Sequence, residues 1–561
     1  MLLPPTPLAR TSRLVRLALL ASLALVTPLA AQSVLLELEG LGAESRFGAA
    51  VSDAGDVDGD GVPDVIVGAA TDSTGSFKGG AFYVHSGADG SLIHAHPTSV
   101  AFTIFGADVA NLGDRNGDGR ADLLVGQSFA RGSGEVHLFS GSDTSLLWTV
   151  PGPTFDDTFG TSVANLGDID RDGVPDFGVG AIWDKETIWF AGAARVYSGA
   201  DQSLLHAWFG DAGGDNLGNQ VRAAGDVNDD GYPDVIAGAY GASANGINSG
   251  MARVYSGRDG SVLHTWLGLT AEDEYGAAVS SAGDVNADGH DDLIVGAYFA
   301  DVGGVNGVGT AEVRSGADGS LLHKWTGAAG GDWFGLGVTG VGDQDGDGHD
   351  DVLVGAPHFD PGDGPTGGAI LYSGKTGAPL LVLEGDAPGE QFGLRVARLA
   401  DLDGDGHPEF AVGSPYADTS VTEGGRVRVF SYDGPKGPWA QLGGGLAGST
   451  LPARLRGFGS LVGGELAGFD LNGGPFHAPA YMLMGFAALN APFKQGVLVP
   501  NPGPPSVLVT TDTDGTGSLT LQAPWPMGLP SDFEFFTQVW FEDVNGPSGY
   551  AASNAVRGRT P

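Results

Sequence analysis

The sequence predicts an all-β protein whose main body is a seven-bladed β-propeller with four-stranded blades. Three observations predict it. A nine-residue pattern, D-x-[D/N]-x-D-G-x-x-[D/E], occurs seven times, starting at Asp56, Asp114, Asp168, Asp226, Asp284, Asp343 and Asp401. Consecutive starts lie 54 to 59 residues apart, a spacing that marks a repeat architecture. Around each copy recur four short runs rich in β-branched, Leu and aromatic residues, bounded by Gly, Asp and Ser and with no helical periodicity. Such runs are strands, and four antiparallel strands repeated around a ring make a propeller.

The elements follow in order. Residues 1–31 read as a secretory signal peptide. Arg10, Arg13 and Arg16 form a positive start, an apolar run from Leu17 to Val26 follows, and Ala30 and Ala31 are small. Leu29 makes the cleavage site imperfect. The run is too short to span a bilayer, and no other stretch approaches the roughly 18 apolar residues a span requires, so no transmembrane segment is expected. The expected location is secreted or at the cell surface.

Each repeat opens on an aromatic–Gly pair: Phe47-Gly48, Phe105-Gly106, Phe159-Gly160, Tyr275-Gly276, Phe334-Gly335 and Phe392-Gly393, with Leu217-Gly218 as the exception. The acidic loop comes next. The second strand follows at once, as in DVIVGA at 64–69 and DVLVGAP at 351–357. After a loop of variable length comes a third strand such as ARVYSG at 194–199. A short Asp-Gly turn then leads to a fourth strand such as SLLHAW. The fourth strand has six interior copies. The seventh lies at the start of the mature chain, where VLLELEG at 34–40 matches LLVLEG at 380–385. The N-terminal strand is therefore expected to close the last blade, which hides two sheet edges.

The propeller is expected over residues 32–440. Residues 441–561 break the period and carry no acidic nonapeptide. Short strand-like runs set off by Pro and Gly predict a small β-sandwich-like C-terminal domain there.

The aromatic–Gly pair, the Asp-rich loop and Gly355-Ala356-Pro357 resemble the FG-GAP repeat. This repeat builds the seven-bladed propeller at the head of integrin α subunits and of many secreted bacterial proteins. The resemblance covers about residues 33–440 and implies a Ca²⁺-loaded propeller used for binding. The tail GYAASNAVRGRTP resembles a C-terminal domain of other secreted bacterial proteins.

The acidic loops are the candidate metal sites. Carboxylates at every second residue of a tight Gly-bearing turn point at one small volume and repel each other unless a hard, oxygen-seeking cation intervenes. Positions 1, 3, 5 and 9 supply the side-chain ligands, with a backbone carbonyl from position 7. The candidate ligands are Asp56, Asp58, Asp60 and Asp64; Asp114, Asn116, Asp118 and Asp122; Asp168, Asp170, Asp172 and Asp176; Asp226, Asn228, Asp230 and Asp234; Asp284, Asn286, Asp288 and Asp292; Asp343, Asp345, Asp347 and Asp351; and Asp401, Asp403, Asp405 and Glu409. About seven Ca²⁺ per chain are expected. The bland alternative is an Asp/Gly hairpin without metal. Four loops carry four acids and three carry an Asn at position 3, which predicts a spread of affinities.

Charge narrows the partners. The 27 Lys and Arg against 68 Asp and Glu leave a net charge of −41, which argues against nucleic acid and anionic membranes. There are no cysteines, so a secreted chain of this length lacks disulfide support. No catalytic motif stands out, and no enzyme activity is expected. His94, His206, His264 and His323 share one position of strand four and read as structural. His290, His349 and His407 occupy loop position 7 and are expected to point outward. Strand alternation places the acidic loops and the Asp-Gly turns on one face. The variable loops lie on the other, with Trp183, Trp189, Phe190, Tyr240, Tyr298, Phe299, Phe359 and Tyr416. The favoured function is a non-catalytic adhesion or recognition module for an extracellular protein or glycan. The alternatives are a carbohydrate-active hydrolase or lyase acting on the variable-loop face, and a structural surface-layer protein.

Overall fold

The computed structural model describes residues 33–361 and 364–432, together with eleven strand segments between Trp439 and Arg559. The signal-peptide segment lies outside the described residues. Seven four-stranded antiparallel sheets form the propeller. Blade 1 comprises Phe47–Gly55, Asp64–Ala69, Ala81–His85 and Leu92–Pro97. Blades 2 to 6 span 105–151, 162–209, 221–267, 278–326 and 337–384. Blade 7 takes Arg395–Arg398, Phe410–Ser414 and Arg426–Ser431 from one end of the repeat region and Ser33–Glu39 from the other. Among the described residues there is no α-helix.

The ring closes as the sequence predicts. Ser33–Glu39 pairs antiparallel with Arg426–Ser431. Leu36 and Leu38 are buried in a cluster shared with Phe47 and Val65 of blade 1. Arg426 and Arg428 pair with Glu37 across the same two strands at 3.3 and 3.5 Å.

Burial explains the strand sequences. Second strands such as DVIVGA are buried at every residue because neighbouring blades cover both faces; this is why they read as continuous apolar runs. Fourth strands such as LIHAHP alternate between exposed and half-buried positions at the outer rim. Among the described residues the hydrophobic core is divided into seven clusters, one at each blade junction.

The aromatic–Gly pair is a junction device. Its first residue makes a parallel bridge to a Gly of the preceding blade at all seven junctions, from Gly80↔Phe105 round to Gly425↔Phe47. Leu217 takes the same place, fully buried and bridged to Gly192. The Gly that follows has positive φ and meets the neighbouring backbone. At Gly218 (φ +90) a Cβ would lie 2.1 Å from the Ala193 carbonyl oxygen. The second-strand Gly is its counterpart, since a Cβ on Gly180 would lie 1.9 Å from the Gly218 oxygen. Side chains at either position would force the blades apart.

Beyond the propeller, Trp439–Gly443 pairs with Ala555–Arg559, and Pro479–Gly485 pairs with both Ser506–Asp512 and Glu534–Glu542.

Candidate metal centres and the opposite loop face

Each acidic loop is wound by its own side chains. In the first, Asp56 accepts from the Gly61 amide at 3.1 Å, Asp58 from the Asp60 amide at 3.0 Å and Asp60 from the Val62 amide at 2.8 Å. These are Asx-type turns, which suit Asp and Asn and account for the spacing of two. Asn116, Asn228 and Asn286 accept the same bond as Asp58, at 2.8–3.0 Å.

Position 9 does more than offer an oxygen to the loop. Asp64 accepts from the Val57 amide at 2.8 Å and, with its other oxygen, from the Gly87 amide at 3.1 Å. Gly87 opens the turn between strands three and four. The same double bond recurs at Asp122, Asp176, Asp234, Asp292 and Asp351. Glu409 reaches the Leu402 amide in the same way. Six of the acids thus tie the acidic loop to the turn between strands three and four, which puts both on one face. Gly is required in the turn because the position-8 carbonyl packs there. A Cβ on Gly199 would lie 1.9 Å from the Pro175 oxygen.

The histidines of strand four extend this tie to the next blade. His94, His206, His264 and His323 donate from Nε2 to the carbonyls of Gly141, Gly257, Gly316 and Gly374 at 2.5–2.9 Å. Those are the same turn glycines whose amides bind the position-9 acids. The structural reading of these histidines fits their contacts. The expectation for position 7 does not hold at His349 and His407. His349 and His407 reach back to the preceding loop and donate from Nδ1 to the carbonyls of Val285 and Asp343 at 2.7 and 2.8 Å. Neighbouring loops crowd together on this face, so a position-7 side chain meets the loop before it. Arg120 does the same, 3.4 Å from Asp56.

Four loops gather carboxylates tightly. Asp56, Asp58 and Asp64; Asp168, Asp170 and Asp176; Asp343, Asp345 and Asp347; and Asp401, Asp403, Asp405 and Glu409 each place ligand oxygens within 4.8 Å of one another. Asp60, Asp172 and Asp351 stay outside their groups. Among the described residues the three Asn loops form no such group, so Asp114, Asp118 and Asp122, Asp226, Asp230 and Asp234, and Asp284, Asp288 and Asp292 are less closely gathered. There Asn116 and Asn286 turn their amide nitrogens to Asp118 and Asp288 at 3.0 and 2.9 Å, which relieves part of the crowding.

The crowded acids are electrostatically uncomfortable. Burial first, then neighbouring carboxylates, push Asp64 and Asp176 to about 6, Asp234 and Asp292 to about 7, and Asp351 and Glu409 to about 8. Asp122 is raised as well. The Oδ1 of Asp168 is buried with no hydrogen-bond partner. Converging carboxylates with an orphaned acceptor form a donor set that fits a hard, oxygen-seeking cation.

Comparison with known proteins agrees with this geometry. The FG-GAP repeat model matches residues 218–262, 275–311 and 392–430, and an FG-GAP-like repeat model matches 114–179. The matched segments fall in blades 2, 3, 4, 5 and 7. Integrin alpha-IIb of Mus musculus is 37% identical over 160 residues, which cover 25% of this chain and 15% of that protein. Integrin alpha-5 of Xenopus laevis is 32% identical and integrin alpha-V of Gallus gallus 30%, each over 219 residues covering 36% of this chain and 20% of the relative. The chain therefore spans a fifth or less of the length of these relatives.

The opposite face of the FG-GAP propeller has a different chemistry. Trp183, Trp189, Phe190 and Phe299 are exposed there, whereas Tyr240, Tyr298, Phe359 and Tyr416 are half-buried under their loops. Trp189 is 65% exposed. Trp183 stacks edge-on with Phe129 at 5.7 Å and contacts Phe190 at 6.3 Å. A second exposed pair, Phe77 and Phe102, meets at 5.3 Å on blade 1. Phe77, Phe102, Phe129 and Phe155 were not among the expected residues. Their placement in loops two–three and four–one was the available signal. No helix among the described residues is long and apolar enough to cross a membrane.

Proposed function

We propose that this protein is an extracellular, non-catalytic recognition module whose propeller is braced by Ca²⁺ and binds a protein or glycan through the variable-loop face. The observation that carries the reading is the division of the ring into an acidic face and an aromatic one. Ions would be held by the seven acidic loops, with the four-acid loops starting at Asp56, Asp168, Asp343 and Asp401 filling first. Bound Ca²⁺ supplies charge that removes the carboxylate repulsion and lets the position-9 acids stay ionised.

Exposed aromatic clusters on loops carried by a rigid frame favour recognition. Secretion rests on residues 1–31, and residues 441–561 are assigned to a separate β domain on their sequence. The integrin relatives support an adhesion-type role for the propeller alone. The test is a glycan and protein array probed with and without chelator, beside a hydrolase and lyase screen. Turnover abolished by substituting a single loop carboxylate would replace this reading with an enzyme.

A further inference from the structure

The first strands of all seven blades surround a central channel of about 350 Å³, a volume within the range of small-ligand pockets. Its wall is built by period-two alternation. The residue five before each acidic loop is Val in every blade, from Val51 to Val396. Flanking positions line the channel, and most are small or polar, such as Ser52, Ala110, Ser280 and Thr339. The exceptions carry charge. Arg222, Arg395 and Arg398 line the channel together with Asp53 and Asp108, so the lining is net cationic in a chain of net charge −41.

The three guanidinium groups are only partly matched by the two carboxylates. Arg222 reaches from blade 4 to Asp108 of blade 2 at 3.1 Å. Asp53 is occupied by Asn111, whose Nδ2 donates at 3.1 Å. Arg395 and Arg398 have no carboxylate within 4.0 Å among the described residues. Arg395 donates from Nε to the Ala49 carbonyl at 2.8 Å, which fixes the guanidinium. No Nη bond to a described residue accompanies it. Burial lowers the Arg395 pKa, with the Asp108 carboxylate opposing the shift and the Arg222 guanidinium adding to it. A guanidinium fixed through Nε, with its Nη groups unbonded to described residues and facing a confined channel, favours a bidentate oxyanion.

From this geometry we infer that the central channel is an anion site, in which Arg395, assisted by Arg398 at the mouth, binds a small carboxylate or tetrahedral oxyanion. Arg395 lies apart from the aromatic loops, and Arg398 sits at the acidic-loop end of the channel, beside Asp401 and near Asp291 and Asp350. The site does not depend on the recognition reading. The plainer role for Arg395 is a seam staple between blades 7 and 1 through Ala49, and that role predicts no anion binding.

The test is calorimetry on the full Ca²⁺-equilibrated chain with sulfate and with succinate, which separate a tetrahedral anion from a carboxylate. One saturable site per chain for at least one probe is expected, weakening as NaCl rises. Arg395→Gln should weaken it at least tenfold and Arg395→Lys less. Arg398→Gln, at an exposed position, should weaken it several-fold with an unchanged melting temperature. Absence of saturable binding of both anions to the wild type would overturn the proposal, as would unchanged affinity in Arg398→Gln together with Arg395→Gln. If Arg395→Gln fails to fold, wild-type binding and Arg398→Gln still decide between the anion site and the staple.

Discussion

The two faces of the ring are built from the same repeat but solve different problems. On the acidic face, every Asp, Asn or Glu at positions 1, 3, 5 and 9 of the nonapeptides accepts a backbone amide, as in the first loop, and the loops are nearly identical from blade to blade. His349, His407 and Arg120 link one loop to the preceding one. On the opposite face, loop lengths vary and large aromatics such as Trp189 and Phe102 stand exposed. Uniformity and dense hydrogen bonding belong to stability. Variability and exposed apolar area belong to recognition. If this division is right, damage on one face should register in stability and damage on the other in binding.

The largest effect should come from metal. Stripping the chain with EGTA should lower the melting temperature by tens of degrees, with excess Mg²⁺ restoring little of it. Each ion that binds only the folded state adds roughly 2.7 kcal/mol at a hundred times its dissociation constant, and four such sites would rival the whole stability of an ordinary domain, on the order of 10 kcal/mol. Calorimetry in Ca²⁺, EGTA and Mg²⁺ measures this. A melting temperature unchanged in EGTA would mean that the acidic loops are metal-free hairpins.

Ring closure should come next. Deleting residues 33–41 removes Leu36 and Leu38 from the seam, about 1.5–3 kcal/mol each by burial, and exposes two sheet edges. Aggregation or a marked loss of stability is expected by light scattering and thermal melts. A monomer of wild-type stability would show that another segment closes blade 7.

The pH response of the metal-free protein sharpens the comparison. Six of the position-9 acids, all but Asp122, have folded pKa values of about 6 to 8 against ordinary values of 3.8 for Asp and 4.5 for Glu. Between those limits the folded state holds more protons than the unfolded one, so stability falls as pH rises. In EGTA, melting temperature should decline from about pH 4 to pH 8. In saturating Ca²⁺ that decline should vanish, because low pH now expels the ion. A metal-free curve that rises over this window would contradict the electrostatic account.

A smaller effect is expected at a single blade tie. His264→Ala removes the donor to the Gly316 carbonyl and should cost about 1–2 kcal/mol, the usual loss when a partly buried acceptor is left alone. Chemical denaturation of wild type and variant measures it. No change would show that the repeated histidine is tolerated there rather than needed.

Much of this frame was legible in the sequence. Seven nonapeptides and a stray fourth strand at 34–40 implied the blade count and the closure by Ser33–Glu39, because the repeat fixes both spacing and strand order. The equal placement of Leu217 with the aromatics was hidden, since only burial at a junction reveals that size rather than aromaticity is needed. The second bond of the six position-9 aspartates was also hidden. It joins Asp64 to Gly87 across 23 positions, and no local pattern encodes such a contact. His349 and His407 were misjudged for the same reason, because the loop they meet lies one whole repeat earlier. The exposed aromatics were half legible. Their loops could be assigned to a face, but which rings fold under, as Tyr298 does against Phe299 and Trp333, depends on packing between loops.

The most direct test of the central claim is one binding experiment on three proteins in excess Ca²⁺. Wild type, the double variant Trp183→Ala with Trp189→Ala, and Asp343→Ala are compared for partner binding on the array, with melting temperatures taken on the same samples. The double variant should lose at least tenfold in binding and shift in melting temperature by no more than a few degrees. Asp343→Ala should lose melting temperature yet bind normally while folded. Binding retained by the tryptophan variant, or lost by a folded Asp343→Ala protein, would contradict the division of labour between the two faces.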